Sequence, residues 1–192
     1  MAGQKQSKQS PIYQMKITLR DSKPPIWRRV LASADTSLEK LHQILQIAFG
    51  WTDSHLHQFI KEGQHYSLPE YGLGEYGHEV RNERRVKLSQ LGLEPKRKFY
   101  YEYDFGDSWE HEIVVEKILE AEAGISYPRC IGGKRACPPE DCGGIWGYKR
   151  MLEVISDASD PEHESMKEWL EGPFDPEHFD AEEANKELRA IM

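Results

Sequence analysis

Alternating apolar and polar residues predict β-strands in the first two thirds of the chain. Apolar residues occupy every second position from Tyr13 to Leu19, which is typical of a half-buried strand, and Ile26 to Leu31 predict a second strand. Two further segments, 55–60 and 64–68, flank Glu62-Gly63, a pair that favours a tight hairpin turn. We expect these segments to contribute to one sheet.

The clearest strand signal flanks Gly106-Asp107, where large apolar side chains alternate with polar ones before and after the pair. A hairpin is predicted here, and its register depends on the length of the loop. A two-residue loop would place Asp104 opposite Trp109. A three-residue loop places Phe105 opposite Trp109 and brings the large apolar side chains to one face of the sheet, so burial favours the three-residue loop.

Helical spacing predicts one early helix and further helices near the end of the chain. Thr36-x-x-Glu39 matches a capping box, and the apolar residues behind it recur at helical spacing up to Gly50, a typical residue just beyond a helix. Asp160-Pro161 and Asp180 are typical starts of two later helices.

The order of these elements favours an α+β fold. Strands early and helices late predict an antiparallel-rich sheet rather than alternating βαβ units. Residues 1–10 contain almost nothing apolar, which predicts a disordered leader. We therefore expect residues 11–192 to form a single domain, with a sheet from the N-terminal two thirds, one early helix and a C-terminal group of helices.

Charge is distributed unevenly along the 192 residues. The net charge is −8, but residues 151–192 alone carry 13 acidic and 3 basic side chains. This balance disfavours broad nucleic-acid binding without excluding a local basic patch at Arg28, Arg29 and residues 81–98. Because no apolar run approaches the roughly 20 residues that span a bilayer, and no signal-peptide pattern is present, we expect a cytoplasmic protein that does not insert into membranes.

The densest group of potential metal ligands is Cys130, Cys137 and Cys142, an odd number of thiols in one short segment. Zinc prefers four soft or borderline ligands in a tetrahedron, so three thiolates with His111 as the fourth ligand predict a structural zinc site. The spacings lack the CxxC pairs of common zinc fingers. The alternative interpretation is therefore three separate, partly buried thiols.

Two further constellations are candidates for chemistry. His55 and His57 would share a face in a strand and could bind one metal or flank a substrate, or they could bond free carbonyls beyond the preceding helix. Asp104 and Asp107 with His111 resemble an acid–base set around the hairpin turn, although aspartate is also an ordinary turn residue that bonds its own backbone.

The combination of motifs resembles a known family. The segments that carry the resemblance are Pro25-Ile-Trp-Arg-Arg-Val, Gly50-Trp-Thr-Asp-Ser-His-Leu-His-Gln-Phe, Tyr103-Asp-Phe-Gly-Asp-Ser-Trp-Glu-His and Cys137-Pro-Pro-Glu-Asp-Cys-Gly-Gly. They are similar to those of the Ri-plasmid ORF-three-like family, whose members are also labelled insertion-element passenger or resolvase-like proteins. The resemblance implies an α+β domain associated with plasmids or mobile elements, and it implies neither a reaction nor catalytic residues.

These observations favour binding over catalysis. The acidic C-terminal segment and the lack of a convincing catalytic set predict a non-enzymatic adaptor that binds another protein, with zinc as its candidate cofactor. Trp109 and neighbouring aromatic residues could line a groove for that partner, although such a stripe normally faces the core. The alternatives are a metal-dependent, hydrolase-like enzyme and a nucleic-acid accessory protein of a mobile element.

Overall fold

Eight strands form one mixed sheet, and the helices pack with its apolar residues in one core. The computed structural model describes residues 9–76 and 79–192, so most of the predicted leader at 1–10 lies outside the described residues. The strands are β1 (Ile12–Leu19), β2 (Trp27–Ser33), β3 (His57–Lys61), β4 (Gln64–Ser67), β5 (Val80–Asn82), β6 (Lys98–Tyr103), β7 (Trp109–Leu119) and β8 (Arg129–Lys134). Their order across the sheet is β5-β4-β3-β6-β7-β1-β2-β8.

Strand pairing follows the predicted pattern of apolar residues. Every pair of neighbours is antiparallel except β4 with β5. In the central strand β1, Met15, Ile17 and Leu19 are buried, while the residues between them are only partly buried. This alternation buries one face of the sheet and leaves the other in contact with water, as expected for an antiparallel sheet.

The helices are α1 (Leu38–Phe49), α2 (Gly144–Ser156), α3 (His163–Trp169) and α4 (Ala181–Leu188). This confirms the α+β class with one early helix and a C-terminal group of helices. α4 contacts both β8 and α1, so this C-terminal helix packs against the edge strand of the sheet and the early helix. Within the described part of the chain, no helix has the length and apolarity needed to cross a bilayer.

The cap of α1 differs by one residue from the prediction. Ser37 Oγ, rather than Thr36, accepts the hydrogen bond from the backbone N–H of Lys40, at 3.1 Å. The Thr36 carbonyl accepts a hydrogen bond from the N–H of Leu88, beside an isolated bridge between Ser37 and Lys87. Gly50 follows the helix with φ 92°, as the sequence predicted.

The predicted register of the β6–β7 hairpin is wrong. Tyr103 lies opposite Trp109, and a five-residue loop, 104–108, connects the strands. Asp104 adopts φ 56°, its Oδ1 accepts the N–H of Gly106 at 2.9 Å, and its carbonyl accepts the N–H of Ser108 at 2.6 Å. These bonds stabilise a wide turn, and the large aromatic residues still share one face.

Trp109 is a core residue and does not line a groove. It is 1% exposed, and Tyr101 and Tyr103 across the hairpin are fully buried. This confirms the expectation that the alternating aromatic residues of the hairpin face the core.

Arg28 is a buried structural residue. Its guanidinium donates hydrogen bonds to the carbonyls of Ala48 (2.7 Å), Trp27 (2.9 Å) and Lys134 (3.2 Å), and its central carbon lies 4.1 Å from the centre of the Phe179 ring. It therefore joins the end of α1 to β8 and to the C-terminal segment.

Replacing Arg28 with Met should destabilise the protein by about 2–4 kcal/mol, because the buried Ala48 carbonyl and two partly buried hydrogen bonds lose their donor. Arg29→Met is the matched control. Arg29 pairs with Glu116 and lies over the Trp27 ring on the partly exposed face, so its replacement should cost less, about 1 kcal/mol. Urea unfolding of both variants measures the difference, and equal losses would contradict this role for Arg28.

Candidate metal-binding sites

The segment 51–57, between α1 and β3, supplies side chains to two clusters of polar residues. Several hydrogen bonds hold this segment to its surroundings at 2.8–3.1 Å. They include those from Trp51 Nε1 to the Pro138 carbonyl, from Thr52 N to Glu140 Oε1, from Asp53 N to Gln46 Oε1 and from Ser54 N to Tyr103 Oη. Asp53 adopts φ 58°, a left-handed conformation that turns the chain sharply at this point. The side chains that follow are therefore directed to different neighbours.

The first group, called here the outer cluster, consists of His55, Asp104, Glu140 and Asp141. His55 Nε2 lies 3.2 Å from Asp141 Oδ1 and 3.7 Å from both Asp104 Oδ2 and Glu140 Oε2. This nitrogen is buried and forms no hydrogen bond with any described residue. Three carboxylates therefore surround a nitrogen atom whose hydrogen-bonding capacity is unused.

Each carboxylate of the outer cluster is held by a local constraint. Asp104 uses Oδ1 in the hairpin turn, which leaves Oδ2 directed at His55. Glu140 accepts hydrogen bonds from Thr52 and from Tyr103 Oη, at 3.1 Å to Oε1. Burial raises the pKa of Tyr103, so its hydroxyl keeps the proton that it donates. Asp141, with φ 56°, is mostly exposed and opens the cluster to solvent.

The outer cluster concentrates three carboxylates around His55 without a lysine or arginine beside them among the described residues. In the described ranges, no Lys or Arg forms an ion pair with Asp104, Glu140 or Asp141. Partly buried carboxylates are stable when they are paired or coordinate a metal. The cluster therefore has the electrostatic character of a cation-binding site.

The second group, called here the inner cluster, consists of His42, Asp53, His57 and Glu83. The two imidazole rings are stacked, with centroids 3.4 Å apart and an interplanar angle of 5°. His42 Nε2 lies 2.7 Å from Asp53 Oδ1, and His57 Nε2 lies 3.0 Å from Glu83 Oε1. Asp53 reaches the surface, while the other three side chains are almost fully buried.

Burial controls protonation in the inner cluster. It lowers the pKa of His42 and of His57 to about 4 and raises the pKa of Glu83 to about 8. At neutral pH the metal-free cluster therefore contains two neutral imidazoles and a protonated Glu83. Neutral imidazole is the form that binds metals.

Two sets of three potential metal ligands have donor atoms within 4.8 Å of one another in the described part of the chain. They are His42, Asp53 and His57, and His55, Asp104 and Asp141. One set belongs to each cluster, and neither contains a cysteine.

The chain matches known proteins over most of its length. A family described as plasmid pRiA4b ORF-3-like protein matches residues 11–183. The chain belongs to the pRiA4b ORF-3-like family. The uncharacterised protein y4hQ of Sinorhizobium fredii is 37% identical over 159 residues, which cover 82% of this chain and 80% of the relative.

A solved structure shares the fold of this pRiA4b ORF-3-like chain. It is the crystal structure of MM3350, a protein of unknown function from Methanosarcina mazei Go1. The two are 35% identical, with a TM-score of 0.84 over 92% of this chain and 98% of the other. The family and fold expected from the sequence motifs are confirmed. The names of these two relatives state no ligand and no reaction.

In this pRiA4b ORF-3-like protein, the predicted cysteine–histidine zinc set is not among the convergent groups of ligands. Cys130 lies in β8, not in a loop, and its backbone is bonded on both sides by Asn185 of α4. His111 is buried beside Phe49 and Trp51, where burial lowers its pKa to about 3. Burial also raises the pKa of all three thiols, so this geometry favours three separate, protonated cysteines.

The structure also separates the other candidate residues that the sequence grouped together. His55 and His57 do not share a site, because the turn at Asp53 and the start of β3 place them in different clusters. Asp107 Oδ2 accepts the N–H of Gly143 at 3.1 Å and so ties the hairpin loop to the start of α2. The acid–base set of Asp104, Asp107 and His111 is not assembled.

The candidate nucleic-acid residues are mostly paired with acidic groups. Arg84 bonds both Glu39 and Glu70, and Lys98 bonds Glu112. Arg28 is buried and bonds backbone carbonyls, so it is not available for phosphate contacts.

Metal-free protein should lose stability as the pH rises from about 6.5 to 8. In this range Glu83 is protonated in the folded state but ionised in the unfolded chain, so higher pH favours unfolding. The slope is at most about 1.4 kcal/mol per pH unit. Below pH 6.5 the two histidines act in the opposite direction, because the unfolded chain binds their protons more readily.

Urea unfolding in the presence of a chelator at pH 6.5, 7.25 and 8 measures this effect. Glu83→Gln, which removes the titrating group and keeps its shape, should flatten the decline. Wild type and Glu83→Gln with identical pH profiles would contradict the assignment.

Proposed function

We propose that this chain binds a divalent metal ion in the outer cluster, at a site of the open, hydrolase-like kind. The observation that carries the proposal is His55 Nε2, which is buried, lacks a hydrogen bond and faces three carboxylate oxygens at 3.2–3.7 Å. Donor atoms bound to one metal at about 2.1 Å are roughly 3.0–3.5 Å apart. The separation from Asp141 lies inside this range, and the two separations of 3.7 Å lie slightly above it and are too long for hydrogen bonds.

The donors of the outer cluster indicate the class of metal. One imidazole with three carboxylates is an oxygen-rich set, which favours Mn²⁺, Fe²⁺ or Mg²⁺ over the thiolate-seeking metals. Exposure of Asp141 leaves one side of the site open to water and substrate. When bound, such an ion supplies a Lewis acid and a water molecule of lowered pKa. Thr52 and Tyr103 hold Glu140 in orientation beside that position.

Titration calorimetry with Mn²⁺ tests the binding site. Wild type should bind Mn²⁺, and Asp104→Asn and Asp141→Asn should each weaken binding by about tenfold or more, because each removes a charged ligand. Asp141 is mostly exposed, so its substitution leaves the core intact. Glu62→Gln, which removes an exposed carboxylate from the β3–β4 turn, is the matched control. Unchanged affinity in both Asp104→Asn and Asp141→Asn would reject the site.

Water-proton relaxation of the Mn²⁺-loaded protein tests whether the site is open. An open position carries exchangeable water and should enhance relaxation strongly. A closed shell without exchangeable water would reject the hydrolase-like assignment and indicate a structural metal.

A second candidate function, binding of another protein, is supported by Trp146 on α2. Its side chain is 77% exposed, and the ammonium group of Lys149 lies 4.2 Å from the ring centre. Exposed tryptophan is unusual on a free surface and enriched in interfaces. The adaptor role expected from the sequence would then use the face of α2 that carries Trp146.

Co-purification from the cells that encode the chain tests the adaptor role. A tagged wild-type chain should retain a protein partner that Trp146→Ser loses. Trp169→Ser, which alters another exposed tryptophan on α3, is the control and should retain the partner. Identical sets of bound proteins for wild type and Trp146→Ser would contradict this role.

A further inference from the structure

A cavity of about 450 Å³ lies between the end of α1, the loop 137–143, and α4 with the chain that leads into it. Its volume is typical of small-molecule binding sites. The walls are mostly apolar, and their aromatic and proline side chains include Phe49, Trp51, Pro138, Phe174 and Phe179. Glu140 also lines the cavity, which therefore adjoins the outer cluster.

Arg28 lines this cavity with a hydrogen-bond donor that the protein does not use. The residue is 2% exposed, and its central carbon lies over the rings of Phe49 and Phe179, at 5.0 and 4.1 Å from their centres. Nε and Nη1 donate to three backbone carbonyls, whereas Nη2 donates to none of the described residues. This depth keeps Arg28 away from a polymer such as nucleic acid, but not from a small molecule inside the cavity.

The positive charge of Arg28 has no anionic partner. Across residues 9–76 and 79–192 no carboxylate forms an ion pair with the guanidinium, and the ionisable groups that act on it are the thiols of Cys130 and Cys137. Burial raises the pKa of both thiols, so they are neutral at neutral pH. Backbone carbonyls satisfy N–H groups without supplying a full negative charge, and a buried charge is stable when an opposite charge accompanies it. The inner end of the cavity therefore lacks a negative charge.

Charged residues at the mouth of the cavity favour a singly charged ligand. Glu183 pairs with His178 at 3.2 Å, Asp180 accepts the N–H of Glu182 at the start of α4, and Lys186 is exposed on the same helix. Water and salt screen these exposed charges, whereas the charge of Arg28 in its apolar surroundings is screened much less. The acidic mouth opposes a doubly charged phosphate ester more strongly than a carboxylate with one charge.

We propose that the cavity binds a small organic monocarboxylate, whose carboxylate accepts hydrogen bonds from Nη2 of Arg28 and whose apolar or aromatic body contacts Trp51, Pro138 and Phe179. Two N–H groups on one charged nitrogen suit a carboxylate oxygen pair, and the aromatic wall suits a ring or an aliphatic chain. Such a ligand supplies the charge that Arg28 lacks and fills an apolar volume at the same time. The inference does not depend on the outer site.

Ligand-observed NMR titration of the full chain with phenylacetate and with phenylacetamide tests the ligand class. The two probes share their ring and their shape, and only the acid is charged at neutral pH. Wild type should bind the acid about tenfold more tightly than the amide, because only the carboxylate forms charge-assisted hydrogen bonds with Arg28. Equal affinity for the two probes, no binding of phenylacetate at millimolar concentration, or tighter binding of inorganic phosphate would overturn the proposal.

Two substitutions locate the site. Ala136→Leu fills part of the cavity without touching Arg28 and should weaken phenylacetate binding by about tenfold or more. Ala158→Leu, the same change at an exposed turn, is the matched control and should bind as wild type does. Arg28→Met, with its unfolding midpoint recorded in parallel, should bind the acid and the amide equally. An unchanged affinity in Ala136→Leu, or a folded Arg28→Met that still prefers the acid, would contradict the site.

Discussion

The outer cluster depends on one contact, in which the loop 137–143 packs against the segment 51–55. Trp51 and Thr52 donate hydrogen bonds to this loop, and Asp107 accepts one from Gly143 at its other end. Directly after this loop, the start of α2 requires glycine where it meets the hairpin loop and the end of the loop 137–143. A Cβ atom at Gly144 would lie 2.6 Å from the carbonyl oxygen of Asp107, and one at Gly147 would lie 1.9 Å from the carbonyl oxygen of Cys142. The loop therefore contributes the carboxylates between its cysteines, and the glycines at the start of α2 allow it to pack in this position.

The same contact explains how two polar clusters are separated. Asp53 and His57 lie beside His42 of α1, whereas His55 lies beside Asp141 of the loop 137–143. The left-handed turn at Asp53 and the bond from its N–H to Gln46 fix that division. A left-handed backbone at a non-glycine residue such as Asp53 is strained, and such strain is commonly concentrated at functional sites.

The sequence predicts the elements of this structure better than their contacts. The α+β class, the early helix and the shared face of the hairpin follow from periodicity, because burial acts on local patterns. The hairpin register does not follow, because the turn of Asp104 uses side-chain bonds that hydrophobic patterning does not encode. His42 gives one readable signal, since it is a polar residue on the apolar stripe of α1. Glu83 gives none: it lies within a basic run, and its burial depends on the pairing of β5 with β4.

The central claim is that His55 and the carboxylates around it bind a divalent metal. Anomalous diffraction from crystals soaked in Mn²⁺ tests it most directly, because it locates the ion among its ligands. The account predicts a peak about 2.1–2.3 Å from His55 Nε2, Asp104 Oδ2 and Asp141 Oδ1. A fully ordered outer cluster with no anomalous peak at millimolar Mn²⁺ would contradict it.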